Sequence, residues 1–100
     1  MHAALTVRKL KPGTYDDWRK AWEPDEWPDF VTKAYILRNV NDPDEVIAFG
    51  FTEGSPDEIR SDPAMQDEQA TRSTRMAPYI ASTGADGIYE VVEVVEPAHA

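Results

Sequence analysis

Gln69 and Arg72 are polar side chains on a predicted helical face that is otherwise apolar. Met65 and Met76 share that face, since the four positions are separated by four, three and four residues. In the low dielectric of a pocket, a guanidinium on such a face can orient a phenolate or a carboxylate. The alternative is structural, because Glu68 lies one turn before Arg72, in the favourable order for an ion pair at the helix edge.

Tyr35 and Asn39 are further candidates for a site, because polar groups on a covered strand need partners that a pocket or a subunit interface can supply. They share one face of the second predicted strand with Lys33 and Leu37, whereas Arg38 lies on the other face. That strand is an edge strand in the predicted topology, and edge strands tolerate polar side chains. A purely structural role for Tyr35 and Asn39 therefore stays open.

The segment Trp18–Phe30 holds all three tryptophans of the chain. Trp18 and Trp22 are four residues apart, which is typical of a helix that docks on a sheet. Trp27 belongs to no periodic face and lies in an acidic loop interrupted by prolines. We predict that Trp18 is core, that Trp22 is core or pocket wall, and that Trp27 lies at the core's edge, a subunit interface or a pocket mouth.

Several chemistries have no support in the residues. The chain has no cysteine, which excludes disulfides, thiolate nucleophiles and Cys-ligated metals. Its two histidines, His2 and His99, stand at opposite ends. The acidic loop 23–29 has no glycine-bearing calcium-binding pattern, and no glycine-rich nucleotide motif is present. We therefore expect neither a metal nor a bound cofactor.

Length and charge restrict the class of protein. One hundred residues with 41% hydrophobic content suffice for a single domain over residues 1–100, with a frayed tail at 97–100. A net charge of −9 repels nucleic acids and anionic membranes, so neither is an expected partner. No apolar run is long enough to span a bilayer, and the first ten residues do not resemble a signal peptide. A cytoplasmic location is expected.

Alternating apolar positions, helical spacing and turn residues divide the chain into seven elements. Lys11–Gly13 is a turn signal, Thr14 begins a capping-box-like helix start, and Ser55 precedes a proline at a helix N-terminus. Asn41–Asp44 and Thr83–Gly87 are predicted turns. The predicted strands are 2–10, 30–40, 45–53 and 88–96, and the predicted helices are about 15–23, 55–60 and 63–77.

The order β-α-β-β-α-β predicts an α+β, ferredoxin-like fold, in which a four-stranded antiparallel sheet carries the helices on one face. In the third strand, Ile47, Phe49 and Phe51 point to one face, whereas Val46 and Ala48 point to the other. Both faces of the sheet are therefore too apolar to be exposed to solvent. We expect a second copy of the chain to cover the face without helices, which gives a homodimer.

The segments KPGTYDDWRKAW, YILRNVNDPDEVIAFGFTE and YEVVEVVEP together resemble the antibiotic biosynthesis monooxygenase-like group of the dimeric α/β-barrel superfamily. The resemblance implies two ferredoxin-like sheets packed face to face, with a pocket between sheet and helices in each subunit. Some members are oxygenases that need no metal or flavin and act on phenolic polycyclic substrates. Related members degrade haem with a histidine on the second long helix, and this chain has none there.

Two functions follow as hypotheses. The first is a cofactor-independent monooxygenase-like enzyme for a small aromatic or phenolic substrate, with its pocket between helices and sheet. The second is a non-catalytic dimeric protein that binds a small ligand or has an accessory role. For the first, the catalytic candidates are Asn39, Tyr35 and Arg72, and the substrate-binding candidates are Trp22, Trp27, Gln69 and Arg72.

Overall fold

The computed structural model describes residues 1–29 and 31–98, except for the side chain of Ala64. The predicted first residue of the second strand, Phe30, and the end of the predicted frayed tail, His99 and Ala100, lie outside the described residues. The elements are β1 (His2–Leu10), α1 (Tyr15–Trp22), β2 (Val31–Asn39), β3 (Asp42–Thr52), α2 (Pro56–Ser61), α3 (Pro63–Met76), a 3₁₀ turn (Ala77–Tyr79) and β4 (Ile80–Glu90).

The four strands form one antiparallel sheet in the order β2-β3-β1-β4. This is the predicted ferredoxin-like α+β arrangement, with β2 at an edge of the sheet as expected. The first strand is confirmed at its predicted bounds, and each of the three predicted helices is confirmed to within about one residue.

The prediction for the last strand is wrong. Residues 83–87 were predicted as a turn and 88–96 as a strand, but β4 covers Ile80–Glu90. Pairing with β1 decides this, because Leu10 lies opposite Ile80 and His2 lies opposite Glu90. β-Propensity depends strongly on such context, and the register shift between Thr6 and Arg8 lies opposite the segment of β4 that contains Gly84.

Two local predictions near helix starts have different outcomes. Ser55 caps α2 as predicted, since its Oγ accepts a hydrogen bond from the Glu58 amide at 3.2 Å. Thr14 precedes α1 but does not cap it, because its hydroxyl donates to the Lys11 carbonyl at 2.7 Å. The predicted turn at Lys11–Gly13 is confirmed, and Gly13 occupies it with a φ of +74°, a conformation that glycine adopts without strain.

The hydrophobic core lies between the sheet and the helices. Trp18 and Val46 are 0% exposed and Leu10 is 1% exposed. Trp22 and Met76 are buried beside them. The prediction that Trp18 belongs to the core is therefore confirmed.

The other face of the sheet carries no helix, and we call it the open face. Cross-strand partners place aliphatic and aromatic side chains there together. Tyr35 stacks on Phe49 with ring centroids 5.2 Å apart, and Phe51 meets both rings edge-on. The apolar or aromatic residues of the open face are Ala3, Leu5, Val7, Tyr35, Leu37, Ile47, Phe49, Phe51 and Tyr89.

Residues 91–98 continue past the end of the sheet. The last backbone hydrogen bond of this region runs from the Val91 amide to the Met1 carbonyl at 3.0 Å. Beyond it, Val92 is 87% exposed, and Val94 and Val95 are each 72% exposed. The radius of gyration is 14.8 Å, compared with about 13 Å for a compact domain of this length. The chain therefore leaves apolar side chains outside its own core.

Candidate functional site

A cleft of about 730 Å³ opens between the sheet and the helices. That volume is in the usual range for small-molecule sites, about 300–1,000 Å³. Side chains of β1, β3 and β4 form its floor, α3 forms one wall, and the segment after α1 forms the rim. Four of the residues singled out in the sequence lie together in its lining, namely Trp22, Trp27, Gln69 and Arg72.

Arg72 extends across the cleft from α3 to the end of α1. Its Nε donates to the Trp22 carbonyl at 2.6 Å, and its guanidinium carbon lies 5.5 Å from the centre of the Trp22 ring. Burial lowers the pKa of Arg72, and the nearby positive charge of Arg8 lowers it further, while Glu68 opposes the shift. Within the described residues, the two Nη groups of Arg72 have no hydrogen-bond partner, so they are free to hold a ligand.

Within the described residues, Arg72 and Glu68 form no ion pair, although the charge of Glu68 still acts on the pKa of Arg72. Glu68 instead accepts a hydrogen bond from the Asp25 amide at 2.9 Å and lies 3.9 Å from Arg75. Arg75 also donates to the carbonyls of Ala21 and Glu23. Arg75 thereby satisfies carbonyl groups at the end of α1 and anchors the rim segment. Arg72 is left available to the cleft.

Trp22 and Trp27 form an aromatic wall. Their ring centroids are 5.6 Å apart and the rings meet edge to face. Trp22 is buried, whereas Trp27 is 40% exposed. Such a pair can stack with an aromatic ligand at its open end. Trp22 therefore contributes both to the core and to the cleft, which sequence periodicity could not separate.

Arg8 is a cleft residue that the sequence reasoning missed. It lies on β1 and is partly buried, with its guanidinium carbon 5.9 Å from the centre of the Trp18 ring. Burial lowers its pKa, and the charge of Asp86 opposes that effect. The signal in the sequence was the position of Arg8 in the strand, since it alternates with Val7 and so points toward the helices. A strand-face assignment alone could not show that no carboxylate would pair with it.

Asp86 enters the cleft from β4, opposite Thr6 on β1. The Thr6 hydroxyl donates to its Oδ1 at 3.0 Å. A carboxylate held in this way can accept a proton from a ligand hydroxyl that lies within hydrogen-bond reach. The predicted turn at 83–87 had concealed Asp86, because a turn residue would not face the cleft.

Tyr35 and Asn39 lie away from the cleft. Tyr35 belongs to the aromatic cluster of the open face. Asn39 ends β2, where its Nδ2 donates to Glu45 at 3.0 Å and its Oδ1 accepts from the Asn41 amide at 2.8 Å. The structure therefore brings neither of them together with Arg72 in a single chain.

Metal and membrane features were searched among residues 1–29 and 31–98. That part of the chain contains no group of three or more histidine, cysteine, aspartate or glutamate side chains arranged to hold a metal. No helix within those residues is long and apolar enough to cross a membrane.

Solved structures share this fold over nearly the whole chain. A candidate antibiotic biosynthesis monooxygenase from Chloroflexus aurantiacus aligns with a TM-score of 0.65 and 17% identity over 99% of this chain and 96% of its own. One from Nitrosomonas europaea aligns with a TM-score of 0.61 and 14% identity over 93% of this chain and 100% of its own. A NIPSNAP domain protein of uncharacterised role from Burkholderia xenovorans aligns with a TM-score of 0.53 and 12% identity over 100% of this chain and 98% of its own.

No protein-family model matches the chain, and no curated protein shows significant sequence similarity to it. At the identities found, the structural likeness shows the fold. The expected resemblance to antibiotic biosynthesis monooxygenase-like proteins is thus confirmed at the level of architecture.

Proposed function

We propose that this protein is a cofactor-independent monooxygenase-like enzyme that acts on a small aromatic or phenolic substrate in the cleft. The proposal rests on one observation: the rings of Trp22 and Trp27 line the same cleft as the Nη groups of Arg72, which have no hydrogen-bond partner among the described residues. The wall holds an aromatic ring, and the guanidinium stabilises the negative charge that develops on a phenolic oxygen. The candidate monooxygenases that share the fold support the same class of reaction.

The reaction needs a substrate that supplies its own electrons. With an anthrone, the ring-bound CH₂ becomes C=O, one oxygen atom of O₂ enters the product, and the other leaves as water with the two methylene hydrogens. Loss of a proton gives an electron-rich phenolate form that reacts with O₂. We assign the role of proton acceptor to Asp86, an exposed carboxylate of the cleft lining that accepts the Thr6 hydroxyl, whereas Glu68 is bonded to the rim segment.

Replacing Arg72 with glutamine is expected to lower kcat/KM for anthrone by about 100-fold, because it removes the charge that stabilises the phenolate. Oxygen uptake measured with an electrode checks this. Arg38→Gln is the matched control, since Arg38 lies against Tyr15 outside the cleft lining. An absence of oxygen uptake by the unmodified protein with anthrone, hydroquinones and phenolic aromatic acids would reject the oxygenase.

The second candidate is a dimeric binding protein without catalysis. One observation favours it: among the described residues that line the cleft there is no histidine, tyrosine or lysine. Carboxylates are then the only side chains there suited to act as general bases near neutral pH. Tight binding of an aromatic ligand without turnover would identify this function.

The proposal includes a homodimer formed through the open face. Four strands of about nine residues give a flat footprint on the order of 500 Å², near the upper limit of apolar patches on monomers. Typical interfaces bury about 800 Å² per partner, and the exposed valines of residues 91–98 can add to the covered area. A second copy is the favoured occupant because it presents an identical apolar surface across a two-fold axis.

The cytoplasmic location stays a prediction.

A further inference from the structure

We propose that the cleft selects aromatic carboxylates and that the carboxylate group is held between the guanidinium groups of Arg8 and Arg72. The inference rests on the proposed function, because the ring of the ligand uses the same tryptophan wall. The inference adds two points to the proposed function: the ligand carries a negative charge, and Arg8 is a second arginine that selects for that charge. An aromatic acid thus becomes the class of substrate.

Unsatisfied positive charge is the first observation. Within residues 1–29 and 31–98, Arg8 makes no hydrogen bond or ion pair, although it is partly buried. Arg72 uses only its Nε. Both side chains are partly buried, and this loss of contact with water lowers the pKa of each. Cations removed from water are costly unless an anion pairs with them.

The two arginines enter the cleft from different elements, Arg8 from the floor and Arg72 from the wall formed by α3. Arg8 extends from β1 over the ring of Trp18, and Arg72 extends from α3 over the ring of Trp22. Those rings lie on successive turns of α1, with centroids 6.2 Å apart. Arg8 is close enough to Arg72 for its charge to lower the pKa of that group. A carboxylate has two oxygens and can accept hydrogen bonds from two guanidinium groups at once.

Asp86 is a carboxylate of the protein that could pair with Arg8 in place of a ligand carboxylate. Its Oδ1 accepts the hydroxyl of Thr6, and it forms no ion pair with Arg8 in the described structure. Its charge still reaches Arg8, since it opposes the lowering of the Arg8 pKa. Asp86 therefore compensates Arg8 in part and leaves its donors open.

The other carboxylates that line the cleft are Glu26, Asp29, Asp62 and Glu68. Within the described residues, Glu26, Asp29 and Glu68 form no ion pair with Arg8 or Arg72. Glu68 is bonded to the Asp25 amide and lies near Arg75. Glu26 and Asp29 are exposed at the rim. Charges at the rim are screened by water and salt, whereas partly buried charges are screened less. The two partly buried positive charges of Arg8 and Arg72 therefore favour binding of an anion between them.

Calorimetric titration with 1-hydroxy-2-naphthoate and with its methyl ester tests the proposal. The two probes share the ring system and differ in one negative charge. The acid is expected to bind at least about tenfold more tightly than the ester, because it makes charge-assisted hydrogen bonds. Arg8→Gln is expected to remove most of that preference, because it weakens binding of the acid much more than binding of the ester. Arg38→Gln, with the same change in charge outside the cleft, is expected to keep the preference.

Two further variants keep the test decisive if Arg8→Gln folds poorly. Arg8→Lys retains the charge but loses the planar fork, so an intermediate preference is expected. Asp86→Asn removes the competing charge and is expected to tighten binding of the acid alone. Equal affinities for acid and ester in the unmodified protein, or an undiminished preference in both Arg8 variants, would overturn the proposal. Failure of the oxygenase would appear differently, as absent oxygen uptake with the preference for the acid intact.

Discussion

Replacing Trp18 with alanine is expected to remove a large share of the protein's free energy of unfolding. Trp18 is 0% exposed and packs between Tyr15 and Trp22 at the centre of the core. Such a truncation costs about 3–5 kcal/mol, because it removes apolar contacts and leaves a cavity. A domain of this size has only about 5–15 kcal/mol of stability. Urea unfolding followed by circular dichroism measures the loss.

Trp27→Ala is the matched control, since it removes an equally large ring at a position that is 40% exposed. Its unfolding midpoint is expected to change little, while its affinity for aromatic ligands falls. Trp18→Phe is a milder variant, because the Trp18 indole nitrogen is buried with no hydrogen-bond partner in the described structure and phenylalanine needs none. Equal unfolding midpoints for Trp18→Ala and Trp27→Ala would contradict this account of the core.

Replacing Leu37 with glutamate is expected to convert the proposed dimer into monomers at micromolar concentration. Leu37 is 47% exposed in a single chain and lies beside Ile47 on the open face. A two-fold interface would bury both copies, so the substitution places two charges in an apolar contact. A loss of about 2–4 kcal/mol is expected when a charge replaces an apolar interface residue in both copies, which raises the dissociation constant by about 30- to 1,000-fold.

Sedimentation velocity over a range of concentrations measures that constant. Val40→Glu is the control, because Val40 is 95% exposed in the turn after β2 and has the same change of charge. Both variants should be compared at equal concentration, since the stability of a dimer depends on it. A monomeric unmodified protein, or equal weakening by the two substitutions, would reject the open face as the interface.

The elements and their order could be predicted because each has a local cause. Gly13 supplies a positive φ, Ser55 and Pro56 start α2, and Pro24 ends α1. Alternation in β3 separated the face of Ile47 from the face of Val46. Two predictions failed. The predicted turn Asn41–Asp44 is shorter, since β3 begins at Asp42. In β4, the valine-rich segment 91–96 has the stronger β-propensity but pairs with no strand among the described residues.

The sequence by itself determined the order of the elements and the two-sided apolar character of the sheet, and it named Trp22, Trp27 and Arg72 as candidates whose structural alternatives stayed open. Only the tertiary structure decided which charges remain unpaired. Arg72 had a plausible partner in Glu68, yet Glu68 bonds to the rim segment. Arg8 and Asp86 are 78 positions apart and share the cleft only because β1 pairs with β4. Propensity and capping depend on neighbours in sequence, whereas the pairing of charges depends on distances that strand register and helix docking set.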